Sequence, residues 1–158
     1  MPRGIGRLVL GGAAAALAAA AALRPVTVLE VESEARGETT AVSLSAGDRF
    51  AVVSAHSMYD APVTEEFAVD GDGRIALLAV SSPSAAVREY FGLTALGERQ
   101  LRARTLDEVV FRVAAGEVQR LHAAGRERSF LEFGDHGDRL VVRAARRPAA
   151  ACWPSRLR

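Results

Sequence analysis

His56, Ser57 and Glu65 are the side chains whose types and spacing could do chemistry, as proton carriers, ligand anchors or a nucleophile. They fall in one stretch, FAVVSAHSMYDAPVTEEFAV, from Phe50 to Val69. Side chains alternate along a strand, so Phe50, Val52, Ser54 and His56 share a face, as do Val63, Glu65, Phe67 and Val69. With SMYDAP as the loop of a hairpin, His56 opposes Val63, Ser54 faces Glu65, Val52 faces Phe67 and Phe50 faces Val69. That register matches apolar with apolar. It turns Glu65 toward the core and Glu66 toward solvent. A buried carboxylate must be paired, hydrogen-bonded or protonated. Ser54 stands directly across, His56 diagonally, and the hydroxyls of Ser57 and Tyr59 lie in the loop.

Three roles fit this group. A polar latch that fixes the loop and seals one end of the core is the favoured one. The second is a binding end for a small anion, with His56 and Glu65 as anchors and nearby arginines supplying charge. The third is a weakly hydrolytic His–Glu pair. It lacks a supported nucleophile, because Ser57 and His56, as neighbours on a strand, point to opposite faces. No residue is therefore assigned as catalytic. His122 and His136 stand alone, in a strand and a turn. No cofactor or metal is implied: Cys152 is the single cysteine, zinc-ligand spacing is missing, and DGDG at Asp70–Gly73 reads as a hairpin turn rather than a calcium loop.

The elements that must position these residues follow from periodicity. From Val26 the apolar period is two, in VTVLEVE, TTAVSLS, RFAVVSAH, VTEEFAVD, RIALLAVSS, DEVVFRV, EVQRLHA, RERSFLEF and DRLVVRA. SAAVREYF breaks that period and predicts a short helix, and GLTALGERQLRAR reads as an irregular crossover or short helix. The fold class is therefore mostly β: a small antiparallel β-sandwich or barrel-like domain of about nine strands with one helical insertion. It spans residues 25–147 as a single domain, and 148–158 form a tail expected to be mobile.

Ahead of the domain, residues 1–24 carry Arg3 and Arg7, then the uncharged run LVLGGAAAALAAAAAL, with small residues at Ala20 and Ala22. This hydrophobic helix fits an export signal cleaved near Ala22 or a thin anchor retained in the membrane. The domain is expected outside the cytoplasm, periplasmic or tethered to the membrane, and without a lipid-modified cysteine. Net charge is +1, and no lysine is present. This balance argues neither for nucleic acid nor for an acidic partner, and no nucleic acid is expected. Charge is unevenly spread: Pro25–Asp72 carries ten acids against two arginines, whereas Gly73–Arg158 carries fifteen arginines against nine acids. Either the halves attract each other across solvated strand faces or an arginine-rich face meets a partner.

HSMYDAPVTEEF resembles the hallmark of a bacterial family of exported proteins catalogued as domain of unknown function eighteen-fifty. The likeness falls on His56, Ser57, Pro62, Val63, Glu65 and Phe67, with Gly47, Asp48 and Phe50 as a similar lead-in. Residues 138–142 and 146–148 extend it. One departure is that relatives carry a Ser-Phe-Gly-Ala-Gly stretch where this chain reads SSPSAAVREYFG. The resemblance implies a non-enzymatic accessory to a tripartite TRAP solute transporter of the TAXI type, contacting its permease or solute receptor at the outer face of the membrane.

Overall fold

β-Branched and other apolar residues at every second position build strands through most of the chain. The computed structural model describes residues 19–44, 49–93, 99–115 and 118–152, with 99–103 and 151–152 described by their backbone alone. Of the hydrophobic segment expected over residues 1–24, residues 19–23 are helical and 1–18 lie outside the described residues, as does the lead-in Gly47–Asp48. Among the described residues no helix is long and apolar enough to cross a membrane. The chain divides into a larger unit, Thr27–Ala145, and a smaller one built from its two ends. In the smaller unit the Ala149 amide donates to the Arg24 carbonyl (2.9 Å), and Ala149–Cys152 forms a 3-10 turn. That turn occupies the start of the expected mobile tail.

The strands are β1 (Pro25–Ser33), β2 (Glu38–Ser43), β3 (Arg49–His56), β4 (Ala61–Val69), β5 (Ile75–Ser81), β6 (Arg99–Leu106), β7 (Glu108–Arg112), β8 (Arg120–Ala123), β9 (Arg126–Ser129) and β10 (Arg139–Pro148). A helix, α1 (Ala85–Tyr90), lies between β5 and β6. The strands form two antiparallel sheets, one ordered β2-β1-β10-β7 and the other β6-β5-β4-β3-β8-β9. Leu29, Val31, Leu140 and Val142 of the first share one apolar core with Phe50, Val52, Phe67 and Leu121 of the second. The fold is thus mostly β, as periodicity indicated, and of the sandwich and barrel alternatives the strands form two sheets.

The described residues form ten strands rather than about nine. The additional one is β6, in the stretch read as a crossover. Its sequence, RQLRARTL, has little apolar alternation to advertise, and it is held as a strand by pairing from Ile75–Leu106 to Ser81–Arg99 along β5. At the other extreme, RERSFLEF is strand only as far as Ser129. A 3-10 turn then runs Phe130–Glu132, closed by a capping box in which the Ser129 and Glu132 side chains satisfy each other's backbone amides.

Charge follows the strands. Arg143 bridges Glu32 and Glu108, Arg139 holds Glu34, and Arg36 meets Asp135 at 2.6 Å. Glu32 and Glu34 of the acidic first half thus pair with Arg143 and Arg139 of the second, while Arg36–Asp135 runs the other way. The DGDG segment is a turn: Asp70 Oδ1 accepts from the amides of Asp72 (3.0 Å) and Arg74 (2.9 Å). The Arg74 amide leads the interactions that lower the Asp70 pKa.

The β8–β9 hairpin turns on Ala124 and Gly125, both at positive φ (52° and 70°). Such a two-residue turn matches strand twist but favours glycine or asparagine at both positions. Alanine in the left-handed region costs roughly 1–2 kcal/mol. Ala124→Gly should therefore stabilise the protein by about 1 kcal/mol, read as an increase in the urea midpoint with an unchanged slope.

Candidate functional site

The β3–β4 hairpin turns through four residues, Ser57–Asp60. The amides of Tyr59 and Asp60 donate to the His56 carbonyl at 3.2 and 2.8 Å. Asp60 adopts φ 44°, a conformation Asp tolerates better than most residues. His56 consequently pairs with Ala61, Ser54 with Val63, Val52 with Glu65 and Phe50 with Phe67. This register is two residues away from the one expected with a six-residue loop. Facing is conserved, because a two-residue shift keeps side-chain parity. Glu65 is on the core face with Val63 and Phe67, and Glu66 is on the opposite one. What changes is reach: His56 and Glu65 are four rows apart, about 13 Å along the strands. The expected His56–Glu65 contact does not form, and Ser54 faces Val63 instead of Glu65.

The structure places His56 in an aromatic cluster. Its ring stacks on Tyr59 (centroids 5.1 Å apart) and meets the edges of Tyr90 (4.6 Å) and Phe91 (5.7 Å). His56 Nδ1 accepts from the Met58 amide at 3.3 Å, which orients the imidazole from within its own loop. Ser57 is exposed, with no role in this packing. Pro62 offers its carbonyl to the buried Ser82 hydroxyl (2.7 Å), and the same hydroxyl accepts from the Ser84 amide (3.2 Å). Ser82 thus ties β4 to the start of α1.

That helix is short, and its ends are well made. Ser84 caps it by accepting from the Val87 amide, and Gly92 at φ 63° ends it. Val87 is fully buried against Val63 and Val80, forming a second apolar cluster with Phe91 beside it. Arg88 donates to the carbonyls of Ser82 (3.1 Å) and Pro83 (2.7 Å), clamping the helix to its own entry. The hairpin tip and the C-terminus of α1 therefore meet at one end of the six-stranded sheet. There Met58, Tyr59 and Tyr90 are 67%, 42% and 60% exposed. Sequence reasoning found His56 and Tyr59 but missed Tyr90 and Phe91. Helical spacing placed Tyr90 on α1, but the contact between helix and hairpin is long-range and left no mark in local periodicity.

Comparison with protein-family models, curated proteins and solved structures finds no match. The site is therefore read from its own chemistry.

Glu65 is the other unusual group. Burial raises its pKa above the usual carboxylate value, and no hydrogen bond or charge contributes to the shift. On the outer face of the same sheet, an open groove of about 580 Å³ is lined by Arg49, Ala51, Glu66, His122 and Glu127 among others. Its His122 Nε2 lies 3.4 Å from Glu127, which also holds Arg120. Among the described residues no group of three or more His, Cys, Asp and Glu side chains is arranged to hold a metal ion.

Proposed function

We propose that this protein is an exported, non-enzymatic docking module that assists a solute transporter at the membrane. Its β-sandwich domain would present the His56–Tyr59–Tyr90 end to a transporter subunit. The observation that carries the reading is the joint exposure of Met58, Tyr59 and Tyr90 at one end of the sheet, with the Tyr59 and Tyr90 rings 6.5 Å apart. Single exposed apolar residues are ordinary, whereas a cluster of them marks an interaction surface. Methionine and aromatic residues are the types enriched at protein interfaces. Two tyrosines and a histidine supply apolar area with few rotatable bonds, so little entropy is lost when they are covered.

The likeness of the hairpin to the exported family supplies the partner, and membership in that family is part of the proposal. So are export by the N-terminal hydrophobic segment and contact with a TRAP-type permease or solute receptor. The alternative, a small anion held at the His56–Glu65 end, would have to bridge about 13 Å between those residues, so the docking reading is preferred.

Affinity capture from solubilised membranes tests the reading. The wild-type chain should recover a permease or receptor subunit. The double variant Tyr59→Ser, Tyr90→Ser should recover at least about tenfold less, the loss expected when two interface anchors each worth about 1 kcal/mol or more are removed. Both residues are exposed, so thermal stability should hardly move. Equal recovery by the two proteins would refute the docking surface.

A further inference from the structure

Glu65 stands where the two apolar clusters meet. Its neighbours on the core face are Val52 across on β3, Val80 across on β5, and Val63 and Phe67 along β4. Val52 and Phe67 belong to the main core, whereas Val63 and Val80 belong to the cluster that holds Val87 of α1. A carboxyl thus sits in the row between them, where Leu77 packs against both clusters. The β4–β5 register slips between Glu66 and Phe67, directly beside it. Bulges of this kind concentrate where a strand re-aims a functional side chain.

Among the described side chains, β6 brings Arg104 to this face in the row of Leu77, where it is exposed. β3 turns Ser54 to this face and carries His56 four rows away. β5 contributes Val80 and Leu77. On α1, Arg88 is committed to carbonyl oxygens and Glu89 is exposed. The core residues of the four-stranded sheet, including Leu29 and Leu140, are apolar.

We propose that Glu65 is a proton-dependent latch on α1. With the carboxyl neutral, the two clusters close into one apolar seam and the helix is held down. Glu65 is half-buried, so once ionised its carboxylate draws in further water and the seam loosens. The sign follows from burial. A carboxyl whose pKa is raised in the folded state contributes stability below its unfolded value, and that contribution is lost as pH rises through the raised value. The latch stands independently of the docking reading. It reaches that surface all the same, because α1 ends on Tyr90.

Native-state hydrogen exchange on the full chain tests it, through the amides of Arg88 in α1 and of Phe91 and Leu93 at its C-terminal end, which donate to Ser84, Val87 and Arg88. Corrected for intrinsic exchange, their protection should fall about tenfold between pH about 4.5 and about 7.5, while the amides between β1 and β10 stay constant. Glu65→Gln should keep α1 protected at both values, and Glu65→Met should do the same. Three results would overturn the latch: protection in α1 that ignores pH, a fall shared equally by the β1–β10 amides, or a fall retained in Glu65→Gln. Failure of both variants to fold would also overturn it, since an uncharged residue here should tighten the seam. The readout does not involve a partner, so the latch and the docking surface fail separately.

Discussion

Phe67→Ala should lower the free energy of unfolding by about 3–5 kcal/mol. Phe67 is 2% exposed, and its ring stacks on Phe50 at 4.9 Å with planes 12° apart. The pair sits at the centre of the six-stranded sheet, where β3 and β4 match directly. Truncation removes the transfer energy of a buried ring and leaves a cavity between two sheets whose backbones are fixed by their ladders, so collapse is limited. For a domain of ordinary stability, about 5–15 kcal/mol, that loss is a large fraction of the whole. Urea denaturation should show a lower midpoint with an unchanged slope. A loss below about 1 kcal/mol would mean that the two sheets do not share this core.

Gly134→Ala should be the second most damaging single change, at about 1–3 kcal/mol or more. A Cβ at this position would lie 2.6 Å from Asp138 Oδ2 and 2.8 Å from Leu140 Cδ2. Neither neighbour can retreat easily, since both are buried. Asp138 is also the acceptor that organises the β1–β2 turn. The fully buried Ser33 hydroxyl donates to its Oδ2, and the Ala35 amide donates to its Oδ1 at 3.0 Å. Pushing the carboxylate aside would leave Ser33 without its partner in the core, which carries its own penalty.

Acid should narrow the difference between Gly134→Ala and the wild type. The Ser33 hydroxyl, with the Ala35 and Arg139 amides, holds the Asp138 carboxyl below the usual carboxylate range. Its contribution is present above the unfolded value and is lost as pH falls through the lowered one. The wild type therefore loses in acid an interaction that the variant has already lost. Unfolding midpoints compared near neutrality and in acid would show the convergence. A constant gap would confine the defect to the clash with Leu140.

Much of this architecture was legible because strand alternation is a strong local signal. It gave the hairpin, the parity that turns Glu65 inward, and the helix at Ala85–Tyr90. Pairing of apolar residues fixed the facing but not the register, since registers two residues apart present the same faces. Loop length decided between them. Asp60 adopts a left-handed conformation that lets the turn close in four residues, and nothing in the alternation reports that. β6 escaped for a related reason: with Leu101 and Leu106 as its only large apolar residues, it takes its identity as a strand from its partner, β5. The aromatic cluster needed one contact that local patterning cannot supply, between the hairpin tip and the end of α1.

Cross-linking from position 58 tests the docking surface most directly. A photoreactive residue replacing Met58, at the exposed tip of the hairpin, should join the chain to a transporter permease or receptor subunit in intact membranes. The same residue at Arg74, in the β4–β5 turn, should not. Adducts from position 58 that vanish in the Tyr59→Ser, Tyr90→Ser background are the result expected of a docking module. An absence of adducts at position 58, or equal adducts from both positions, would contradict it.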